Sequence, residues 1–307
     1  MSTNSTTPLA VVLATCNGAA YLEQQLQSLL QQTRSPDLIL IFDDASDDAT
    51  PQLLEKYATL PTVKISKNNK RIGANENFKQ AVAAVPDGYD IAFCDQDDYW
   101  LAEKLEQSVE LLYSLSAAPQ QPAMIYSDLI LMNEDDQIIS ASVHQQRGQH
   151  RYQHVWDTFI YGNMVSGCTI VMNSAMKQVM SQLPETDEFI YDAWLAMAGF
   201  SFGKIACLPA PLIRYRQHSR NLTFADHRAS NRWGRWRKHL TQLFHPSDFL
   251  QEEIALAKAF HNAFHHRLSS EQAGTLMQLI QLEHTPHWKK KIIFEKSFRP
   301  YWLNRFS

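Results

Sequence analysis

Four short apolar runs, each closed by polar or acidic residues and each followed by a helical pattern, constrain this chain most. They are Leu9-Ala-Val-Val-Leu-Ala-Thr15, Leu38-Ile-Leu-Ile-Phe42, Val63-Lys-Ile65 and Asp90-Ile-Ala-Phe-Cys94. A strand covered on both faces reads as a continuous apolar run, whereas a half-solvated strand alternates. Between the runs, Tyr21, Leu22, Leu26, Leu29 and Leu30 recur at helical spacing, as do Leu53, Leu54 and Tyr57, then Phe78, Ala81, Val82 and Val85. Leu101, Leu105, Val109 and Leu112 follow the fourth run in the same way. Ser46 or Asp47 is expected to cap the second of these helices. The alternation predicts an α/β domain built on a doubly wound, mostly parallel sheet with helices on both faces.

Ligands of such sheets gather beyond the carboxyl ends of the strands. Here those ends bear Thr15 and Asn17, then Asp43 and Asp44, then Asp95, Asp97 and Asp98. Carboxylates crowded together repel unless a cation or hydrogen-bond donors sit among them. A hard divalent ion shared with a substrate phosphate is the simplest resolution. A helix cap or Asx-turn accounts for Asp47 and Asp48, but three acids within four residues behind an apolar strand point to function. No G-x-G-x-x-G follows the first strand and no G-x-x-x-x-G-K-[ST] occurs anywhere. Rossmann-type dinucleotide binding and a P-loop nucleotidase are therefore disfavoured, and bound phosphate would be neutralised by a metal.

Beyond Pro122 the pattern loosens. Met124-Ile-Tyr-Ser127 and Leu129-Ile-Leu-Met132 read as two strands flanking Asp128, residues 142–154 as a loop, residues 168–172 as a strand, and residues 192–198 as the start of a helix. Ile254, Leu256 and Phe260, then Leu276, Leu279 and Ile280, mark later helices. Charge is unevenly spread: residues 1–227 hold 15 Lys/Arg against 26 Asp/Glu, and residues 228–307 hold 13 against 6. So acidic a body predicts no nucleic-acid partner. The tail interleaves basic and aromatic residues in Arg232-Trp-Gly-Arg-Trp-Arg-Lys238 and His287-Trp-Lys-Lys-Lys-Ile-Ile-Phe294. It suits contact with an anionic membrane surface, or a helical bundle packed on the first domain with a solvated basic face. Cys16, Cys94, Cys168 and Cys207 have no metal-type spacing and read as reduced thiols. Met1 to Pro8 is polar, without a signal-peptide pattern, and no stretch approaches the ~20 apolar residues of a membrane span. The expected location is the cytoplasm, with at most a peripheral place on the inner face of the cell membrane.

Three blocks carry a resemblance. Ala14-Thr-Cys-Asn-Gly18 with Tyr21-Leu22, then Phe42-Asp-Asp-Ala-Ser-Asp-Asp-Ala-Thr50, then Phe93-Cys-Asp-Gln-Asp-Asp-Tyr-Trp100 resemble glycosyltransferase family 2 in order and spacing. Within it they are most similar to the bacterial rhamnosyltransferase-like members that build surface polysaccharides such as O-antigen. The resemblance implies a GT-A nucleotide-sugar fold over residues 1–222, a helical C-terminal region over 223–307, and an inverting reaction.

It also implies roles for particular residues. Thr15 and Asn17 would line the nucleotide pocket, and Asp44 would accept a hydrogen bond from a uracil or thymine ring. Asn77, in Gly73-Ala-Asn-Glu-Asn-Phe78, belongs to the next nucleotide-side block. Asp95 would sit near the ribose, Asp97 would hold Mg²⁺ or Mn²⁺ on the diphosphate, and Asp128 would lie near the donor sugar. Ile190-Tyr-Asp-Ala-Trp194 resembles the family's His-Asp-Trp-Trp stretch and makes Asp192 the general base, with Tyr191 and Ala193 as departures. Gly167 and Cys168 would precede a strand facing the acceptor. Tyr215-Arg-Gln-His218, followed by Asn221, resembles the block that closes the catalytic domain. It makes His218 a second metal ligand and Arg214 or Arg216 a partner of the diphosphate.

The expected reaction is metal-assisted transfer of a sugar, L-rhamnose among the candidates, from a dTDP- or UDP-sugar to a hydroxyl of a glycan or lipid-linked saccharide. Two alternatives stand beside it. The departures at Tyr191 and Ala193 suit a catalytically inactive sugar-nucleotide-binding protein. A nucleotidyltransferase would carry a Gly-rich basic loop where this chain has Ala14-Thr-Cys-Asn-Gly-Ala-Ala20.

Overall fold

The computed structural model describes residues 7–115, 117–118, 120–149, 156, 160, 163–218 and 250–297. The four apolar runs form strands β1 (Leu9–Thr15), β2 (Leu38–Asp43), β3 (Val63–Lys67) and β4 (Asp90–Cys94), interleaved with helices α1 (Leu22–Leu30), α2 (Thr50–Tyr57) and α3 (Ala74–Ala84). The two-residue β5 (Tyr99–Trp100) and helix α4 (Lys104–Ser114) follow. Next come β6 (Ala123–Met132), β7 (Ile138–Ser140), α5 (Val143–Gln146), β8 (Val171–Met172), α6 (Met176–Ser181), α7 (Tyr191–Ser201) and β9 (Lys204–Arg216). Helices α8 (Gln251–Phe264), α9 (Ser270–Gln281) and α10 (His287–Ser297) complete the described chain.

One sheet runs in the order β3-β2-β1-β4-β8-β6-β9-β5, with β7 added to β6. β1 to β4 are mutually parallel, as are β6 and β9. β8 lies antiparallel between β4 and β6, and β5 is antiparallel to β9. The sheet is thus mostly parallel. Successive residues of β1 feed two separate cores, which is why the run is apolar throughout. Ala10 and Val12 join the layer holding Phe78 of α3, Met180 of α6 and Trp194 of α7. Leu9, Val11 and Leu13 join the layer holding Leu26 of α1, Leu54 of α2 and Leu105 of α4.

Helices α8 and α9 share the first of these layers. Trp194 meets Phe260 at 5.3 Å and Phe264 at 5.4 Å between ring centroids, and Phe202 meets Phe264 at 5.2 Å. Aromatic rings of this size bury enough area to fix α8 against α7. Of the tail's two basic segments, residues 232–238 lie outside the described residues, as does Asn221.

Four local expectations change. Residues 124–132 form one strand, with Asp128 absorbed by shifts in the β6–β9 register rather than ending it. Residues 167–169 make a 3-10 turn, so that only Val171 and Met172 pair as a strand. The 142–154 segment opens with α5, one helical turn capped by Ser142, which accepts a hydrogen bond from the Gln145 amide. Neither Ser46 nor Asp47 caps α2: Asp48 Oδ1 accepts from the Thr50 amide at 2.8 Å, while Ser46 donates to Asp43.

Lys104, at the start of α4, is fully buried, with Nζ 3.7 Å from the centre of the Trp100 ring and no hydrogen-bond partner among the described residues. Burial pushes its pKa down to about 7, from ~10.4 in an unfolded chain. The unfolded state therefore binds more protons between those values, so stability rises as pH climbs from 7 towards 10 and the cost is fully present below 7. Lys104→Met is expected to stabilise the fold by roughly 2–4 kcal/mol at neutral pH. Urea unfolding at pH 6.5 and 9.5 checks it: the gain must shrink at the higher pH.

Candidate active site

The chain lays β2 and β3 on one side of β1 and then returns to place β4 on the other. Parallel neighbours whose connections leave in opposite directions open a crevice at their carboxyl ends. Gln96, just past β4, closes its floor. Its Oε1 accepts from Thr15 Oγ1 at 2.6 Å and from the Cys16 amide at 2.8 Å, and its Nε2 donates to the Cys16 carbonyl at 3.1 Å. A side chain at Gly18 would collide with Gln96 and lie 2.7 Å from Thr15 Oγ1, so this close approach requires glycine.

Above that floor lies a cleft of about 600 Å³, a size that suits a small-molecule site. The β1 and β2 ends contribute Thr15, Cys16 and Asp44, with Arg71 and Asn77 beside them. The β4 end contributes Asp95, Gln96 and Asp97, and α7 contributes Tyr191 and Asp192. Asn163, Arg147 and Glu252 of α8 also face the space.

Asp44 and Asn77 line the cleft but are buried and anchored. Asp44 Oδ1 accepts from Asn68 Nδ2 at 2.9 Å and the Ile72 amide at 2.8 Å, and Oδ2 accepts from the Gly73 amide at 2.9 Å. Asn77 donates to the Phe42 carbonyl at 2.9 Å and accepts from Asn68 at 3.0 Å. Together they shape the 68–73 loop, leaving Asp44 spare acceptor capacity on Oδ2.

Asp97 Oδ2 and His218 Nε2 are 2.7 Å apart, the imidazole is stacked on Tyr21 at 5.4 Å, and Arg216 Nε donates to the Asp97 carbonyl at 3.0 Å. Burial, with Asp97 and Asp192 adding like charge, pushes the Asp95 carboxyl up to about 7. Among the described residues, the donors within 4.8 Å of one another are Asp95, Asp98 and Cys168. Asp97 and His218 thus hold each other rather than gathering with Asp95. Asp95 and Asp97 still line the cleft with hard oxygen donors, and a cation would relieve the repulsion there. They fit Mg²⁺ or Mn²⁺, which takes one or two carboxylates and completes its shell with phosphate oxygens and water.

Three expected contacts fall elsewhere. Asn17, with left-handed backbone (φ 54°), exchanges hydrogen bonds with Asp47 at 2.7 and 2.9 Å; it ties two loops together and does not line the cleft. Asp128 is buried beneath α5, accepting from the amides of Leu129 (2.7 Å) and His144 (2.9 Å) and from the Ser142 hydroxyl. Arg216 is 1% exposed, bonded to Asp136 and Gln24 at 2.6 Å each and packed over the Tyr21 ring. Groups so fully engaged are not released to a ligand without leaving buried partners unpaired. Arg214 lies against the Tyr99 ring instead. The described cations that line the cleft are Arg71 and Arg147. Nothing in their spacing marks them, because a loop arginine carries no periodic signal. Gln96 had the one readable signal, a neutral residue set among three acids.

Asp192 sits in the first turn of α7 and accepts from Asn163 Nδ2 at 3.0 Å. Burial is the main cause that pushes its pKa up to about 7; the Ala193 amide opposes it and Glu252 adds to it. Tyr191 is buried, stacked on Phe93 at 4.9 Å and tilted on Phe78 at 4.6 Å. Its hydroxyl lies against Gly167, where a Cβ would come 2.8 Å from Tyr191 Cζ. Gly167→Ala is therefore expected to cost about 1–3 kcal/mol. In urea unfolding, adding Tyr191→Phe must recover part of that loss, since it removes the clashing hydroxyl.

A family model described as "Glycosyl transferase family 2" matches residues 10–180. The chain belongs to glycosyltransferase family 2. Over 110 residues it is 34% identical to the dTDP-rhamnosyl transferase RfbG of Shigella flexneri, covering 33% of this chain and 36% of that protein. Over 105 residues it is 27% identical to the poly(ribitol-phosphate) beta-N-acetylglucosaminyltransferase TarS of Staphylococcus aureus, covering 34% and 18%. The family 2 chain thus spans about a third or less of the length of these curated relatives. The crystal structure of S. aureus TarS 1–349 in complex with UDP-GlcNAc shares its fold, with a TM-score of 0.60 at 18% identity over 97% of this chain and 79% of that one. The α/β architecture with C-terminal helices is therefore that of TarS. Asp192, His218 and Glu252 all lie beyond the stretch that the family 2 model matches.

Proposed function

We propose that this chain is an inverting glycosyltransferase that moves a sugar from a nucleoside diphosphate to a hydroxyl of a surface glycan. One observation carries the reading: Asp192, with proton affinity raised to near neutrality, lines the same switch-point cleft as Asp95 and Asp97. Thr15, Asp44 and Asn77 form the nucleoside side, and the free acceptor capacity of Asp44 suits the ring N–H of uracil or thymine. Asp95 and Asp97 would hold Mg²⁺ or Mn²⁺ against the diphosphate, with His218 orienting Asp97 through their hydrogen bond. Such an ion, when bound, stabilises the negative charge developing on the leaving nucleoside diphosphate. Arg71 and Arg147 take the charge-pairing role in place of Arg216. Asp192 removes the acceptor proton while the hydroxyl attacks the anomeric carbon from the face opposite the leaving group.

The likeness to RfbG supports a dTDP-sugar and L-rhamnose as donor and sugar, with a UDP-sugar as the other candidate. A glycan or lipid-linked saccharide at the cytoplasmic membrane face suits the acceptor. No described helix is long and apolar enough to cross a membrane. Exposed Trp288, Ile292 and Ile293 on α10, beside Lys289, Lys290 and Lys291, support contact with a membrane surface. A catalytically inactive binder is less favoured, because Tyr191 replaces the family's His without removing Asp192 from the cleft. A nucleotidyltransferase is less favoured too, because the end of β1 and the turn after it, Ala14-Thr-Cys-Asn-Gly-Ala-Ala20, have neither the basic residues nor the repeated glycines of a phosphate-cradling loop.

Thermal melting with UDP, dTDP, GDP and CDP, each with and without Mn²⁺, tests the donor site, since a ligand that binds only the native state raises the melting temperature. Metal-dependent stabilisation by UDP or dTDP is expected. No shift with any of the four would overturn the reading.

A further inference from the structure

The acceptor side of the cleft draws one residue from an unexpected place. Glu252 belongs to the first turn of α8, and the chain enters that helix through Leu250, whose backbone is left-handed at φ 64°. Leu250, Ile254 and Ala257 anchor the helix start in the core. The preceding turn and those anchors leave Glu252 exposed at the cleft wall. Its carboxylate makes no hydrogen bond or ion pair among the described residues. Asn163 and Asp192, which do bond each other, line the same wall. Of the described cations lining the cleft, neither Arg71 nor Arg147 forms an ion pair with Glu252 or Asp192, and Arg71 pairs with Asp47 at 3.1 Å.

We propose that Glu252 is a specificity-determining residue for the acceptor: its carboxylate accepts a hydrogen bond from a hydroxyl neighbouring the one that Asp192 deprotonates, so the start of α8 selects an uncharged polyhydroxy acceptor over an anionic one. The proposal rests on the glycosyltransferase reading above. Two carboxylates and a carboxamide lining one cleft, with the Glu252 charge felt at Asp192, offer several acceptors and one donor group. A sugar bearing adjacent hydroxyls complements that set. A uronate or phosphoryl group brought to the same place meets two like charges, which selects against it.

The test uses the full-length chain, its Glu252→Ala and Glu252→Gln variants, and two probe sets: neutral octyl glycosides of rhamnose, glucose and N-acetylglucosamine, and octyl glucuronide. Transfer from dTDP-L-rhamnose and UDP-GlcNAc gives donor and acceptor KM separately, and melting of the UDP–Mn²⁺ complex with each glycoside reads acceptor binding without turnover. Glu252→Ala is expected to raise the KM of neutral acceptors roughly five- to fifty-fold with donor KM unchanged. Glu252→Gln, which keeps an acceptor oxygen, should restore part of that loss and raise the response to octyl glucuronide. Equal neutral-acceptor binding by wild type and Glu252→Ala would overturn the proposal. So would a nucleotide shift accompanied by no response to any neutral glycoside. Absence of the nucleotide shift itself would instead strike the donor reading, while the same glycoside melts run on the nucleotide-free protein would still report on Glu252.

Discussion

Asp192→Asn is expected to lower kcat for sugar transfer by about 10²–10⁴-fold, the range general-base catalysis contributes, with donor KM nearly unchanged. The amide keeps the size of the side chain and a hydrogen-bonding partner for Asn163, so the cleft geometry survives while the base is lost. The wild-type pH profile carries a matching signature. A base with pKa near 7 must be deprotonated to act, so kcat/KM falls about tenfold per pH unit below 7 and levels off above it. Stability moves the other way. The folded carboxyl holds its proton to higher pH than an unfolded Asp, at ~3.9, so the folded state loses stability as pH rises from 4 through 7. Asp192→Asn should therefore melt higher than wild type at pH 8 and converge with it at pH 4. An inactive variant that is also more stable is what a strained functional carboxylate leaves behind. Wild-type turnover in the Asn variant would remove Asp192 from the chemistry.

Asp97→Ala is expected to abolish the metal-dependent part of the nucleotide melting shift. At ligand concentrations near 100 times Kd the wild-type stabilisation is about 2.7 kcal/mol, and removing the carboxylate proposed to hold the cation takes away that linkage. The variant also removes the Asp97–His218 bond, so the unliganded protein is expected to melt lower as that buried contact is lost. Metal dependence is read against each protein's own unliganded melt. Loss of the shift in Asp98→Asn with retention in Asp97→Ala would instead put the cation at the buried group of Asp95, Asp98 and Cys168.

The layered sheet was legible because burial on both faces writes itself locally. The residues of β1 and β2 ahead of the terminal Thr15 and Asp43 must be apolar when helices cover both sides, and a run of five or six such residues is visible without knowing what covers it. Asp44, Asp95 and Asp97 were legible for a related reason. Chain order alone puts the residue after a parallel strand at the carboxyl edge, and three such edges converge wherever the sheet is doubly wound. The resemblance to family 2 then sharpened those acids into a donor site. The place of Asp192 in the cleft was legible through its motif, although Tyr191 beside it was a departure; that ring fills a slot formed by Phe78, Phe93 and Gly167.

Asn17, Asp128 and Arg216 mark the limit of that kind of reading. Each is a polar residue at a plausible position, and each is taken by a partner distant in sequence: Asp47, the start of α5, and the Asp136–Gln24 pair. A polar group's role depends on which partner reaches it first, because a buried hydrogen bond once made is costly to give up. Hydrophobic period and strand order, being properties of neighbours in the chain, determined the sheet, its two cores and the acidic crevice. Tertiary structure alone decided that Arg71 and Arg147 face that crevice, that Asp97 leans on His218, and that Glu252 reaches it from the far end of the chain. Those placements depend on long-range packing, and no local pattern encodes a contact whose two halves lie far apart in sequence.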